Sequence, residues 1–255
     1  MRAVAVIGHL ARDTVEGGPP RIGGGPFYAA RALRALGRPA RLVARCGDAE
    51  RPAFLPRLAS LGLPVTFLPS SETAAFAIHY DGEKRQMRLE ALGDPWRPEH
   101  VAGLRADGVH VAALVRSHFP PETLAELARG GRRVLLDGQG LVRRPETGPL
   151  QLDADYDPEL LRHISILKLS EEEADVVGDP ETLDVAEVVL TQGPRGSTIF
   201  CDGRCERVPA HPIDAADPTG AGDGFAAVYL VARCDGHSPV AAARRATAVV
   251  ATLLR

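Results

Sequence analysis

Lysine is nearly absent from this chain. Only Lys84 and Lys168 occur, and arginine carries the rest of the positive charge. The bias reads as genome composition, and it leaves no lysine-rich tract. The formal charge is −3, the pI is near 6.2, and no tract interleaves aromatics with arginine, which excludes nucleic acid as an expected partner. Long apolar runs are missing too. Ala3-Val4-Ala5-Val6-Ile7 is too short for a signal-peptide core or a membrane span, and His9, Arg12 and Asp13 follow it closely. The expectation is a soluble, cytoplasmic protein with no membrane partner. Cysteine is sparse: Cys46, Cys201, Cys205 and Cys234 form no C-x-x-C, and no His-x-x-x-His accompanies them, so a zinc site is not expected. Cys201 and Cys205 flank Asp202-Gly203, which reads as a hairpin turn, and all four thiols are expected to be reduced and structural. Two phosphate signatures are also lacking. There is no G-x-x-x-x-G-K-S/T, and the first strand ends in Ile7-Gly8-His9 without G-x-G-x-x-G, which disfavours both a P-loop and a dinucleotide fold.

What is present is enough apolar residue, 45% of 255, to bury one large domain or one domain with a small appendage. Short β runs alternate with helical ones. Ala3–Ile7, Arg41–Ala44, Val109–Leu114, Arg133–Leu136, Ile164–Leu169 and Val188–Thr191 read as core strands. Pro26–Leu36, closed by Gly37, Pro121–Arg129 and Glu171–Val177 read as helices between them. Two more helices close the chain, from Gly222 to about Arg233 and from Pro239 to Leu254, the second with Ser238 as N-cap and Pro239 at its first position. This alternation predicts an α/β fold with a mainly parallel sheet covered by helices. Thr73–Leu92 breaks the pattern, reading as two strands around Asp81-Gly82. With the Gly- and Pro-rich segment Glu16–Gly25 it forms either a flap over a ligand or an edge ribbon or dimer contact, and these residues alone do not separate the two.

The stretch ADPTGAGDGF, Ala216 to Phe225, stands directly ahead of an apolar helix. A loop of small residues at a helix start offers free N–H groups and the positive end of the dipole, a nest for an anion such as phosphate. Asp223 inside that nest repels a phosphate if the loop only binds. It makes sense if the carboxylate must take a proton from a nucleophile attacking phosphorus. An ordinary helix start with an acid in its first turn is the other reading, and the glycine pattern alone does not decide between them.

The full run DPTGAGDGFAA resembles the C-terminal signature of the ribokinase-like, or pfkB, family of carbohydrate kinases. The resemblance implies a three-layer α/β fold, an anion hole formed by Gly220, Ala221 and Gly222, and Asp223 as catalytic base. Other segments match in family order over nearly the whole chain. VIGHLARD is similar to the family start and implies that Asp13 contacts acceptor hydroxyls. IGGGPFYAARALRALG resembles the N-terminal signature, whose Gly23 and Gly24 line the acceptor site. ISILKLSEEEADVV is similar to the strand and N-x-x-E segment, which implies Glu173 as organiser of magnesium through water, with Lys168 and Ser170 beside the donor. VVLTQGPRGSTIF resembles the strand and loop that hold the nucleotide, giving Thr191, Gly193 and Gly196. Within the family the myo-inositol kinases are most similar, sharing the opening GH…D, the GGG before the first helix, the K-x-S before the Glu-rich turn, and D-x-Q-x-x-x-R, here Asp137 to Arg143. Gln139 and Arg143 then touch the acceptor, or else satisfy loop carbonyls and a carboxylate.

The departures carry weight. Ser170 replaces the usual Asn of the metal-water network. Tyr28 replaces an Asn that touches the sugar, which argues against ribose. The chain stops at Arg255, where many relatives continue, which is expected to leave the adenine pocket more open or the nucleotide less tightly specified. Bland readings are expected elsewhere. His9 either contacts ligand or bonds to the loop, Trp96 packs a linker, the histidines at 79, 110, 118 and 211 show no metal spacing, and the EEEAD run is a solvated helix face apart from Glu173. The resulting expectation is one kinase domain over residues 1–255, with a β lid from about 12–24 and 73–92 that could also pair two copies. It would use ATP and Mg2+ to phosphorylate a small polyol or sugar, with myo-inositol first. A ribose, ketose or nucleoside acceptor is the alternative, and a non-catalytic binding relative the third reading.

Overall fold

The structure, a computed structural model, describes residues 3–82, 84–210 and 218–254. His211, Ala216 and Asp217 lie outside the described residues. In chain order the elements begin with β1 (Val4–His9), β2 (Ala11–Val15), β3 (Arg21–Gly23), α1 (Gly25–Ala35), β4 (Arg41–Cys46), α2 (Arg51–Ala59) and β5 (Val65–Pro69). They continue with β6 (Ala74–Asp81), β7 (Lys84–Ala91), α3 (Pro98–Val101), β8 (Gly108–Ala112), α4 (Pro121–Ala128), β9 (Arg133–Asp137), α5 (Gln139–Val142) and β10 (Gly148–Pro149). The last are β11 (Ile166–Ser170), α6 (Glu171–Val177), β12 (Glu187–Thr191), β13 (Ser197–Cys201), β14 (Arg204–Val208), α7 (Ala221–Cys234) and α8 (Pro239–Leu253).

Strands β14-β13-β12-β11-β9-β8-β1-β4-β5 form one sheet in that order. Every neighbour pair from β12 to β5 is parallel. Strands β13 and β14 close one edge as an antiparallel hairpin. Its turn is the expected one, with Asp202 (φ 52) and Gly203 (φ 67) both left-handed, the twist a two-residue hairpin requires. Successive strand residues feed opposite layers: Val6, Leu135 and Ile166 pack with α1, α7 and α8, while Ile7, Leu136 and Leu167 pack with α4. Both faces are buried, which is why the strands read as nearly unbroken apolar runs. Helix α7 is buried from Gly224 to Ala232, as a helix that is apolar all round must be. The expected cap of α8 is present, with Ser238 Oγ accepting from Ala241 N at 3.3 Å.

Helix α2 and strand β5 go beyond the sequence expectation. Pro52 and Pro56 argue against a helix, yet Pro52 occupies the first turn, and burial of Phe54 and Leu58 fixes the segment. Trp96, expected in a linker, is fully buried and stacks on Phe119 at 5.2 Å. Among the thiols, Cys46 and Cys234 are buried and Cys205 is exposed, and none of the four is in a disulfide, so a structural role fits the first two and not Cys205.

A second sheet has the order β10-β7-β6-β2-β3. It contains the predicted hairpin β6–β7 and the Glu16–Gly25 segment, and adds β10. Asp13 pairs with Arg21 on one side and Phe76 on the other, and Phe76 pairs with Leu89. One face therefore carries Asp13, Arg21, Phe76 and Leu89 together, and, two residues at a time along β7, Arg85. Phe76, Ile78 and Leu89 of that face pack on Leu114 and Val115 beyond β8, so the face looks onto the C-terminal ends of the parallel strands.

Candidate active site

Open parallel sheets collect ligands outside the carboxyl ends of their strands, and here two helix N-termini converge there. Gly220 caps α7 in the left-handed conformation (φ 80), and a Cβ at that position would run into the Tyr28 ring. The Ala221 N–H already donates to the Pro218 carbonyl at 3.0 Å. The donors left in the first turn are therefore the N–H groups of Gly222 and Asp223, which meet no acceptor among the described residues. The Asp223 carboxylate faces the start of α1: a Cβ on Gly25 would lie 2.8 Å from its Oδ1.

Beneath this turn lies a row of buried charge. A Cβ on Gly222 would sit 3.0 Å from Lys168 Nζ, so the buried Lys168 points at the first turn of α7. Lys168 Nζ is 3.5 Å from Asp137 Oδ1, and His110 Nε2 is 2.6 Å from Asp137 Oδ2. His110 and Asp137 are completely buried, and Lys168 and Glu173 nearly so. Burial and the like charge of Asp137 push the Asp223 carboxyl up to about 6, against the opposing pull of Lys168, His110 and Arg143. Burial disfavours charge on Lys168, but Glu173, Asp137 and Asp223 outweigh it and hold the ammonium above its usual range. Burial also works against ionised Asp137, yet His110 and Lys168 hold it below the usual carboxyl range.

Ser170 caps α6, its Oγ accepting from Glu173 N at 3.3 Å, while Glu173 Oε2 accepts from Ser170 N at 2.8 Å. Serine thus keeps the capping chemistry that Asn would supply and fixes the Glu173 carboxylate at the same time. No group of three metal-ligating side chains exists among the described residues. With one oxygen of Glu173 already accepting from the backbone, this donor set fits a magnesium ion held through water and donor phosphates, not a protein cage.

On the side of the small sheet, Asp13 is buried against Gly23, where any side chain would collide with its carboxylate. Its Oδ1 meets no hydrogen-bond partner among the described residues. Burial pushes its pKa up to about 6, opposed by Arg85, Arg21 and Arg143. Gly24 (φ 90) caps α1 so closely on the His9 carbonyl that only glycine fits. Arg143 ends α5 half-buried, and burial pulls its guanidinium below the usual range against the charges of Glu173, Asp223 and Asp137. Neither its guanidinium nor the Gln139 amide hydrogen-bonds to a described residue, while the charges of Glu173, Asp223 and Asp137 reach the guanidinium.

The structure draws most of the expected residues together and leaves others to the side. Tyr28 lies against Gly220 and lines a shallow cleft between α1, α7 and α8 that also includes Arg31 and Val250. The Thr191 hydroxyl donates to the Leu169 carbonyl at 2.9 Å. Gly193 (φ 53) and Gly196 (φ 97) shape the turn before β13, with Gly196 packed on the Val208 carbonyl. His9 donates from Nε2 to the Asp94 carbonyl at 2.8 Å and receives the Trp96 indole N–H at 3.3 Å, so its loop-bonded reading holds. The sequence expectation gave no role to His110 and quoted Asp137 only as part of a pattern. The available signal was a polar residue inside each of the apolar strands GVHVA, RVLLD and ILKLS.

Residues 20–255 match the family model described as pfkB family carbohydrate kinase. The chain belongs to the pfkB family. Among curated relatives of this pfkB chain, the inositol 3-kinase of Zea mays is 35% identical over 178 residues, 68% of this chain and 46% of the relative. Ribokinase of Bacillus subtilis (strain 168) is 23% identical over 271 residues, 96% of this chain and 90% of the relative. The chain spans about half the length of the plant relatives it matches. Among solved pfkB-like folds, a pyrophosphate-dependent kinase in the ribokinase family, complexed with a pyrophosphate analog and myo-inositol, has a TM-score of 0.86 at 24% identity, covering 99% of this chain and 95% of that one. The Burkholderia thailandensis nucleoside kinase with inosine has a TM-score of 0.79 at 21% identity, covering 98% and 90%.

Proposed function

We propose that this pfkB chain is a kinase that transfers the γ-phosphoryl group of ATP to a hydroxyl of a small cyclic polyol, myo-inositol first. The observation that carries the reading is Asp223: a carboxylate pushed up to about 6 beside two unused N–H donors and the Lys168 ammonium. Such a carboxylate takes a proton from a hydroxyl better than an ordinary aspartate does, because its basicity lies closer to neutral pH. The acceptor hydroxyl sits between Asp223 and the transferring phosphorus, while the Gly222 and Asp223 N–H groups and Lys168 stabilise charge on the phosphoryl oxygens. Magnesium, when bound, neutralises donor phosphate charge, and Glu173 would hold it through water. Asp13, Gln139 and Arg143 orient the polyol. The β2–β3–β6–β7–β10 sheet covers it as a lid, excluding water that would otherwise take the phosphate.

The inositol assignment draws support from the plant inositol 3-kinases and from the myo-inositol-bound fold neighbour. Pyrophosphate is the second donor reading, favoured by that same neighbour. The lid's outer face carries Arg12, His79, Gln86 and Arg88, a polar surface that lends no support to an apolar dimer contact. The test is phosphoryl transfer with magnesium and either ATP or pyrophosphate across myo-inositol, other inositols, ribose, fructose and nucleosides, with Asp223→Asn as blank. Turnover confined to inositols supports the reading, turnover on ribose or a nucleoside alone overturns the acceptor, and tight ligand binding without transfer overturns the kinase.

A further inference from the structure

The His110–Asp137–Lys168 row lies on three adjacent strands, β8, β9 and β11, on the sheet face covered by α7. Lys168 and Asp137 are register partners, and His110 and Asp137 share a face because His110 pairs with Leu135, two residues before Asp137. Three ionisable side chains on neighbouring buried strands do not serve stability. Apolar residues of similar volume would fill the same space without the cost of desolvating charge. The geometry is also unsymmetrical. The His110–Asp137 contact is short, 2.6 Å, whereas Lys168 stands 3.5 Å from Asp137, a loose ion contact that leaves ammonium hydrogens directed elsewhere. The Lys168 Nζ comes within reach of the Gly222 backbone, where a phosphoryl group entering the anion loop would lie.

We infer that His110 and Asp137 are positioning residues: His110 fixes the Asp137 carboxylate, and Asp137 holds the Lys168 ammonium under the anion loop, where it grips the phosphate of the donor. This rests on the kinase reading above and deepens it by assigning the donor contact to a buried three-residue unit. Neither residue touches a reactant; both act through Lys168.

The experiment is a double-mutant cycle on the full chain, with His110→Met and Lys168→Met alone and together, and His110→Gln as the conservative variant that keeps an N–H near the Nε2 position. Fold is checked by circular dichroism and melting. Kinetics are read with ATP and with pyrophosphate, and pyrophosphate binding is read separately by calorimetry. Loss of one charge-assisted contact predicts a fall of about tenfold in kcat/KM for the donor and in pyrophosphate affinity on His110→Met, with the acceptor KM unchanged. His110→Gln restores most of it, and in the Lys168→Met background His110→Met causes no further loss. An equal loss in both backgrounds, no loss at all, or failure of Gln to restore donor binding overturns the inference. If His110→Met does not fold, Asp137→Asn enters the same cycle with the same expected and overturning outcomes. Absence of transfer by the wild type with every donor and acceptor sinks the kinase reading instead, and the pyrophosphate titrations still decide the positioning role.

Discussion

Replacing Asp223 with asparagine should make the protein more stable while it removes the chemistry. The carboxyl goes from an ordinary 3.8 to about 6 in the folded chain. About two units, at ~1.36 kcal/mol each, correspond to at most about 3 kcal/mol of folding free energy lost when Asp223 is charged. The sign follows from proton binding. Between the two values the folded state holds more protons than the unfolded, so stability falls as pH rises through that window and the penalty is complete above the folded value. The amide of the Asp223→Asn variant carries no charge at any pH. The variant should therefore match the wild type below about pH 4 and gain up to about 3 kcal/mol above pH 6, roughly 6–12 °C in Tm for a chain of this size. Comparing wild type and variant at each pH cancels the buried histidines His9 and His118, whose pKa values burial lowers. Turnover should fall by about 10²–10⁴, and the wild-type kcat/KM should drop below about pH 6, more steeply than one proton allows because Asp13 titrates in the same range. The assays are differential scanning calorimetry at pH 4, 5 and 8 and initial rates over the same range. An Asn variant that melts no higher than the wild type at pH 8 refutes the burial argument, and a flat rate profile through pH 6 refutes the assignment of the base.

Other substitutions probe separate parts of the site. Gly23→Ala puts a methyl group into the Asp13 carboxylate and should raise the acceptor KM at least about tenfold with the donor KM unchanged, read by steady-state kinetics. Ser170→Ala removes the α6 cap and should cost about 1 kcal/mol in urea melts. Glu187→Gln disturbs a buried carboxylate that accepts from Tyr229 Oη at 2.6 Å and pairs with Arg233 at 2.8 Å, and should destabilise by about 3 kcal/mol without changing either KM. Asp13→Asn should weaken acceptor binding while raising Tm at pH 8, for the same reason as Asp223.

Local chemistry made much of this molecule legible in one dimension. Gly220 to Asp223, the Asp202-Gly203 turn, the Ser238-Pro239 cap and the alternating apolar runs each involve residues a few positions apart, so their geometry follows from backbone preference and side-chain period. The Asp81-Gly82 reading fell one residue early, because Asp81 ends β6 opposite Lys84. Glu173 was separable from its acidic neighbours only through the N-x-x-E segment of the family resemblance, and the capping box with Ser170 emerged from the structure. Pro56 hid α2, since local propensity opposes a helix that only the burial of Phe54 and Leu58 maintains.

The tertiary structure decided the rest. His110, Asp137 and Lys168 are scattered along the chain, and no local rule links them. They meet because the sheet order β8-β9-β11 sets their strands side by side in register. The same holds for Asp13, Arg21 and Arg85, which share a face only through the pairing of β3, β2, β6 and β7. The sequence alone determined that a loop of small residues opens α7 and that Asp223 stands in its first turn, because those depend on neighbours in the chain. How strongly that acid holds its proton depends on burial and on charges from distant strands, and only the fold brings those together.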